Sequence, residues 1–221
     1  MYNVEPTCQI STINEIYLEH FGYKTDGRFV EVGAFDGQTH SNTCFLADLG
    51  WTGLYIEPVD EYLERCFQRH KNNKVWCLGY AVSDTFGVAT LKVAGELSTT
   101  IENPAELYKA VGLDDLYTGE NQHRLEKSLQ VTLDCLLNYK DIKPEFDLLV
   151  MDTESTELAI LKAFNIDFYK PKMVIIEMHE VSPTWAVVES VVSDNKEINK
   201  YFADHQYDKI YSDDINTIFV R

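Results

Sequence analysis

The stretch V-E-V-G-A-F-D-G, from Val30 to Gly37, decides the fold of this chain. A short apolar run ends at Gly33, and Gly37 follows four residues later, which is the pattern of a strand that turns into a helix. Dinucleotide-binding proteins place three glycines at this turn, as G-x-G-x-x-G, so that a pyrophosphate can lie against the helix N-terminus. Here the spacing is G-x-x-x-G, and a carboxylate, Glu31, precedes the first glycine. The motif therefore favours a ligand with a cationic amino group over a ligand with a diphosphate.

Outward from this motif, strand-like apolar runs alternate with helical patterns, which predicts β-α-β units and a mostly parallel sheet. We expect an α/β fold in which helices flank a seven-strand sheet and an antiparallel pair of strands closes the chain. Strands are predicted at 28–32, 53–57, 74–80, 87–93, 147–151, 173–176, 207–211 and 217–220. Helices are predicted at 41–49, 59–70, 105–111, 133–139, 156–164 and 184–203.

The stretch 94–127 interrupts this alternation because it is polar and rich in loop-forming residues. Long irregular stretches in compact domains are often functional, so we predict a lid or insertion over the acceptor site. Tyr108 and Tyr117 offer faces on which a sugar ring could stack, although tyrosines in loops more often anchor packing. No segment has the composition of a linker, so residues 1–221 are expected to form a single domain.

The charge balance excludes several classes of partner. The 221 residues include 19 Lys and Arg against 36 Asp and Glu, a net charge of -17. Such a chain repels polyanions and lacks the basic surface of nucleic-acid-binding proteins. We therefore expect no nucleic-acid partner and no binding to anionic membranes. Among small molecules and glycans, the charge favours neutral ligands over anionic ones.

The cysteines and the N-terminal sequence indicate the expected cellular compartment. The five cysteines are widely spaced and include no C-x-x-C pair, which argues against a disulfide framework and a zinc site. They are typical of small buried side chains in a reducing compartment. No secretory signal opens the sequence, and no stretch reaches the roughly 18 apolar residues of a membrane span. We expect a cytoplasmic protein without membrane insertion, and the sequence leaves a homo-oligomer open.

Two further acidic residues follow strands of the predicted sheet. Glu57 ends the second strand, where a carboxylate can accept hydrogen bonds from ribose hydroxyls. Asp84 follows the third strand and could accept a hydrogen bond from an adenine amino group. Each feature alone also fits a tight turn or a solvated strand end. Their succession on three strand ends points to S-adenosylmethionine (SAM), which has an adenosine, a cationic tail and no phosphate.

These motifs resemble those of the FkbM-type SAM-dependent methyltransferases. The segments that carry the resemblance are V-E-V-G-A-F-D-G-Q-T-H-S-N-T at 30–43, L-Y-I-E-P at 54–58, A-V-S-D at 81–84, V-T-L-D-C-L-L at 131–137, D-L-L-V-M-D-T-E-S-T-E-L-A-I-L-K-A-F at 147–164 and I-E at 176–177. The resemblance implies the Rossmann-like fold of class I SAM methyltransferases. The family usually has Asn where Phe35 stands and Gly where Ser155 stands, and Ser155 is expected to reshape the acceptor side.

The resemblance also implies a cofactor site at the ends of the first three strands. The residues expected to contact the cofactor are Glu31, Gly33, Ala34, Gly37, Thr39, Ser41, Asn42, Glu57, Pro58, Ser83 and Asp84. Among these, Thr39, Ser41 and Asn42 are expected at a helix N-terminus that faces the methionine carboxylate.

A second group of polar residues follows the predicted strands at 147–151 and 173–176, and these residues should face the methyl donor. A sugar hydroxyl needs a general base, a metal ion or both before it can accept a methyl group. His179 is the first candidate base and Asp152 is the second, either as the base or as the group that orients it. His179 could equally be a structural histidine bonded to a carboxylate. His123, in the predicted lid, is either a further candidate base or a solvated side chain.

The acids of this group have two alternative roles. Asp152, Glu154 and Glu177 are candidate ligands for Mg²⁺ or Mn²⁺, which prefer hard carboxylate oxygens. In the other interpretation, Glu154, Glu177 and Glu180 bind substrate hydroxyls directly.

We therefore predict a SAM-dependent O-methyltransferase that acts on a sugar hydroxyl of a glycan or glycoside, with a role in glycan biosynthesis. One alternative is an NAD-type oxidoreductase of related fold, which the missing third glycine and Glu31 disfavour. Another is a SAM- or glycan-binding module that has lost its chemistry, which the altered D-T-E-S segment at 152–155 makes conceivable.

Overall fold

The computed structural model describes residues 8–118 and 124–221 of the chain. In chain order the helices and strands are α1 Ile13–Phe21, β1 Arg28–Val32, α2 Cys44–Leu49, β2 Thr52–Ile56, α3 Asp60–His70, β3 Val75–Leu78, β4 Ala81–Val82, β5 Gly87–Val93, α4 Pro104–Lys109, β6 Arg124–Val131, α5 Leu133–Tyr139, β7 Leu148–Met151, α6 Glu157–Ala163, α7 Ile166–Tyr169, β8 Met173–Glu177, α8 Glu189–Asp204, β9 Asp208–Ser212 and β10 Asn216–Val220.

The main sheet has seven strands in the order β3-β2-β1-β7-β8-β10-β9. Neighbours from β3 to β8 are parallel, and β10 is antiparallel to both β8 and β9. The predicted fold class is therefore confirmed, including the C-terminal antiparallel pair. The strand order reverses between β1 and β7, and ligands of open α/β sheets bind at such a reversal, beyond the carboxyl ends of the strands.

The two faces of the main sheet pack into separate hydrophobic cores. Val30 of β1 and Leu149 of β7 belong to one core, whereas their neighbours Phe29 and Leu148 belong to the other. Successive side chains of a strand point to opposite faces, so both faces of these strands are covered. This double coverage explains why the central strands are continuous apolar runs rather than alternating patterns.

A second sheet has three strands in the order β4-β6-β5, with β6 antiparallel to β5 and parallel to β4. The sequence did not predict β6, and the prediction that the irregular stretch extends to residue 127 was wrong from residue 124 onward. The reason is that Leu125 and Leu129 of β6 are 61% and 58% exposed, so its apolar residues do not mark a buried face.

Other differences from the predicted elements are local. Helix α1, which buries Ile13 and Tyr17, was not predicted. The helix expected at 184–203 begins only at Glu189, after a 3₁₀ turn at Trp185–Val187. Within the described ranges, no helix combines the length and the apolar character needed to cross a membrane.

Candidate active site

A pocket of about 270 Å³ lies at the carboxyl ends of β1, β2, β7 and β8. This volume is close to the lower end of the range for small-molecule sites, roughly 300–1,000 Å³. Most of the predicted site residues line it: Glu31, Gly33, Ala34, Thr39, Ser41, Asn42, Glu57, Pro58, Asp152, Glu154, Glu177 and His179. We call Glu31, Glu57, Asp152, Glu154 and Glu177 the strand-end acids. Neither Lys nor Arg lines the pocket within the described part of the chain.

Gly33 has a backbone role that differs from the one expected. Its φ is 81°, and a Cβ atom built on it would lie 1.7 Å from the carbonyl oxygen of Asp152. The close approach that requires glycine is therefore between two segments of this chain, at the ends of β1 and β7, and it does not depend on a ligand.

Glu31 is buried beneath the loop that follows β1. Its Oε2 atom accepts hydrogen bonds from the hydroxyls of Ser41, at 3.0 Å, and Thr43. Burial raises the pKa of Glu31 to about 7, and these two hydrogen bonds oppose the shift. Oε1 has no hydrogen bond to any described residue, so it is available to a ligand in the pocket. The hydroxyl of Ser41, predicted to face the cofactor, is directed to Glu31 instead.

Glu57 follows β2 and connects two loops of the pocket wall. Its Oε2 accepts from the backbone N–H of Phe35 at 2.9 Å, and its Oε1 accepts from that of Val59 at 2.8 Å. Burial raises its pKa to about 8 despite both hydrogen bonds. Each oxygen keeps a second lone pair, so the carboxylate can still accept hydrogen bonds from a ligand.

Asp152, Glu154 and Glu177 form an acidic cluster in which each offers a carboxylate oxygen within 4.8 Å of the others. Asp152 and Glu177 are hydrogen-bonded to each other, which requires a shared proton. Burial is the main cause that raises the pKa of all three acids, and neighbouring negative charge raises those of Glu154 and Glu177 further. Both effects favour the neutral, protonated form of these carboxyl groups over the charged form.

His179 lies at the edge of the acidic cluster, in a left-handed backbone conformation with φ 52°. Its Nδ1 donates to the carbonyl oxygen of Asp214 at 3.0 Å, which leaves Nε2 to face Glu177 Oε1 at 3.1 Å. The imidazole also stacks on Trp185, with ring centroids 4.6 Å apart. His179 can therefore be a structural histidine and a proton acceptor at once. The hydrogen bond from Nδ1 holds the ring in place, and Nε2 faces the cluster.

The segment at 94–118, which follows β5, contacts the acidic cluster. The hydroxyl of Tyr108 donates to Glu154, and the Tyr108 ring stacks on Tyr117 at 5.1 Å. Tyr108 is completely buried and Tyr117 is 5% exposed, so neither ring has a free face for a sugar. These tyrosines are packing anchors, which was the alternative to the stacking role.

Gln9 is a site residue that the sequence did not indicate. Its Nε2 donates to Asp152 Oδ2 at 3.1 Å, and its Oε1 accepts from Asn216 at 3.1 Å and from Asn42 at 3.4 Å. The side chain thereby bridges the loop after β1, the end of β7 and the start of β10. No motif could have identified it, because its partner Asp152 is 143 positions away in the chain.

Four predicted site residues are not among those that line the pocket. Gly37, with φ 73°, packs against Cys66 and His70. Ser83 donates to its exposed neighbour Asp84 at 3.1 Å. The carboxylate of Glu180 pairs with Lys209 at 2.8 Å and accepts from Asn199 at 3.0 Å. His123 lies outside the described residues.

The two positions that depart from the FkbM pattern both have left-handed backbone conformations. Phe35 has φ 47° and packs edge-on against Tyr62 at 4.5 Å, where both side chains line the pocket. Ser155 has φ 72° and directly follows Glu154, whose φ is 57°. Glycine is favoured at such angles, so the Gly-to-Ser departure retains a conformation that suits glycine better.

Comparisons with known proteins identify one sequence family and several similar solved structures. The sequence model of the methyltransferase FkbM domain family matches residues 31–209. The chain is similar to the crystal structure of an O-methyltransferase from Bacillus cereus in complex with SAH, at 12% identity and a TM-score of 0.49, covering 100% of this chain and 83% of that one. It is also similar to Aeropyrum pernix fibrillarin with natively bound S-adenosyl-L-methionine, at 10% identity and a TM-score of 0.47, covering 90% and 68%. A search among curated proteins gives no match.

Proposed function

This chain belongs to the methyltransferase FkbM domain family, and we propose that it transfers a methyl group from SAM to a hydroxyl of a carbohydrate. The proposal rests on one observation: the five strand-end acids and His179 all line one pocket. Within the described ranges, neither Lys nor Arg lines it. When bound, SAM supplies a methyl group made electrophilic by its sulfonium.

On the donor side, Glu31 and Glu57 have complementary tasks. Glu31 keeps Oε1 free for a cationic amino group, since Oε2 is occupied by Ser41 and Thr43. Glu57 is fixed by two backbone N–H groups and retains lone pairs for a pair of ribose hydroxyls. A diphosphate would instead face carboxylates without a compensating cation, which supports SAM over a dinucleotide.

On the acceptor side, His179 and the acidic cluster form a proton-accepting set. The acceptor hydroxyl must lose its proton as it attacks the methyl carbon. His179 Nε2 lies 3.1 Å from Glu177 Oε1, and Glu177 is hydrogen-bonded to Asp152, so a proton taken by one member can pass to the others. The apparent pKa of this step belongs to the set rather than to a single residue. Glu154 and Glu177 also present acceptor oxygens for neighbouring sugar hydroxyls, which favours a polyhydroxyl substrate.

Mg²⁺ or Mn²⁺ is the further cofactor for which the acidic cluster has suitable ligands. Opposite ligand atoms around Mg²⁺ are about 4 Å apart, and the three carboxylate oxygens lie within 4.8 Å of one another. A divalent ion would favour the ionised form of the three carboxyl groups, and it would lower the pKa of a bound hydroxyl.

The first experiment is a calorimetric titration of S-adenosylhomocysteine (SAH) and, separately, NAD into the full chain, each with and without Mg²⁺. The protein is then incubated with SAM and a panel of neutral glycosides, and a gain of one methyl group is detected by mass spectrometry. We expect SAH to bind, NAD not to bind, and at least one glycoside to be methylated.

Three results would contradict parts of the proposal. Binding of NAD without SAH would replace the methyl-donor site by an oxidoreductase site. Binding of SAH without any turnover would identify a module that has lost its chemistry. Equal turnover with Mg²⁺ and with EDTA would leave proton transfer to the side chains and exclude the metal role.

A further inference from the structure

Two cysteines on adjacent elements bring their sulfur atoms into contact behind the pocket. Cys66 lies on α3 and Cys77 on β3, and their Sγ atoms are 3.7 Å apart. Cys77 is in register with Tyr55 of β2, and its side chain packs on the same hydrophobic core that contains Cys66 and Tyr55. The contact is therefore fixed by the packing of α3 on the sheet.

The two thiols differ in access. Cys66 is completely buried, whereas Cys77 is only partly buried and lies on β3, the edge strand of the main sheet. The hydrogen bond from the Cys66 thiol lowers the pKa of Cys77, and the same hydrogen bond and burial raise the pKa of Cys66. Cys77 is thus the reactive partner, because the thiolate is the form that reacts with oxidants.

We propose that Cys66 and Cys77 are an oxidation site at which hydrogen peroxide converts the dithiol to a disulfide. The Cys77 thiolate attacks one peroxide oxygen, so that an S–O bond forms, the O–O bond breaks and hydroxide leaves as water after protonation. Cys66 then attacks the sulfur of the Cys77 sulfenic acid, an S–S bond forms and a second water leaves. Overall, two thiols and one hydrogen peroxide give one disulfide and two waters.

The geometry requires only a local adjustment for this step. The sulfur atoms are already in contact at 3.7 Å and must approach to about 2.05 Å for the bond to form. The other thiols have different surroundings: Cys44 accepts from Arg69, Cys8 contacts Asn42, and Cys135 is exposed. Cys135 is therefore an exposed reference thiol in the same chain.

The disulfide would act on the loop that follows β1. A Cβ atom on Gly37 would lie 2.7 Å from Cys66 Sγ, and His70, also on α3, donates from Nε2 to the Gly37 carbonyl at 2.7 Å. The loop thus rests on α3, and moving the Cys66 sulfur toward Cys77 to close the disulfide alters the packing beneath Gly37. We expect weaker SAH binding after oxidation, by roughly fivefold or more; this part rests on the proposed function.

The test treats the reduced full chain with a small excess of hydrogen peroxide, followed by catalase. Free thiols are then counted in denaturant, and cross-linked peptides are mapped by mass spectrometry. We expect the loss of two thiols, a Cys66–Cys77 peptide that dithiothreitol reverses, and the same result in Cys135→Ser. Cys77→Ala should lose the cross-link, and mapping of the wild-type chain does not depend on the folding of any variant.

The outcomes separate the oxidation site from the proposed function. Cross-links through Cys135, or over-oxidation of Cys77 while Cys66 stays reduced, would refute the disulfide. A mapped disulfide with unchanged SAH affinity would refute the coupling to the loop. If the reduced chain does not bind SAH at all, the proposed function fails, whereas the mapped disulfide stands on its own.

Discussion

Replacing Glu31 by Gln separates the charge of this side chain from its hydrogen bonds. An amide oxygen can still accept from Ser41 and Thr43, so the support of the loop after β1 is retained. The negative charge that faces the pocket is lost. A hydrogen bond to a charged group contributes about 1.5–3 kcal/mol, so Glu31→Gln should weaken SAH binding by roughly 10- to 150-fold at pH 8.

The pH dependence of this effect follows from the pKa of about 7 for Glu31. The ionised fraction of such a group rises about tenfold between pH 6 and pH 8. If the ammonium group of SAH pairs with the ionised form, the affinity of the wild-type chain rises by about the same factor over this interval. The Glu31→Gln chain should lack this tenfold rise.

The stability of the folded chain without ligand should fall as the pH rises, whereas its affinity for SAH should increase. The pKa of Glu31 is raised from its ordinary 4.5 to about 7, so the folded state favours the protonated form. Its contribution to the free energy of unfolding is complete below pH 4.5 and is lost as the pH rises through about 7. The full loss is on the order of 3 kcal/mol. The Glu31→Gln chain should not show this pH-dependent loss of stability.

Glu157 provides a matched control for the assay, which is calorimetric titration of SAH at several pH values. It is buried, its pKa is also raised to about 7, and it accepts from Thr153, but it does not line the main pocket. Glu157→Gln should alter the pH dependence of unfolding without altering that of SAH affinity. A tenfold rise in affinity that persists in Glu31→Gln would refute the assigned role of Glu31.

Three other substitutions test separate parts of the site. His179→Ala should slow methyl transfer by roughly 10²–10⁴-fold and leave SAH affinity unchanged; near-normal turnover would assign the proton to Asp152 or a metal. Gly33→Ala should prevent stable folding, because its Cβ would lie 1.7 Å from a backbone oxygen, whereas Gly87→Ala, with no atom within 4 Å, should melt like the wild type. Tyr108→Phe removes a donor to the acidic cluster and should destabilise the chain by about 1–3 kcal/mol, as measured by denaturant unfolding.

The sequence predicted the strand-end acids because the carboxyl ends of parallel strands meet at one edge of a sheet. It also predicted Ser83 and Asp84 at that edge, and neither is among the residues that line the pocket. Their strand was expected to continue to residue 80, but β3 ends at Leu78, and Ala81–Val82 pair with β6 in the second sheet. Tyr80 to Val82 line the pocket after this change of sheet, and the next two residues do not.

Contacts between distant segments were beyond the reach of sequence patterns. Gln9 reaches the acidic cluster from outside any motif, and the Cys66–Cys77 contact depends on how α3 packs on an edge strand. Gly33 was recognised as necessary, but the atom that requires it belongs to the backbone of Asp152. Periodicity and turn residues specify elements, whereas these features depend on the three-dimensional packing of elements against one another.

The raised pKa values of the strand-end acids connect folding to ligand binding. Ionising a buried carboxylate in the empty pocket opposes folding, so a cationic ligand that pairs with the ionised form displaces a proton from any of these acids that carries one. The ammonium group that SAM and SAH share stabilises the ionised acids, while a diphosphate has the opposite effect on the same groups. Stabilisation of the chain by SAH should therefore increase with pH, because the folded protein without ligand loses stability over the range in which its affinity for the cation grows. The joint pH dependence of stability and ligand affinity distinguishes a cation-binding pocket from a solvated acidic surface. A solvated acid keeps its ordinary pKa, so it makes neither the stability nor the affinity depend on pH in this range.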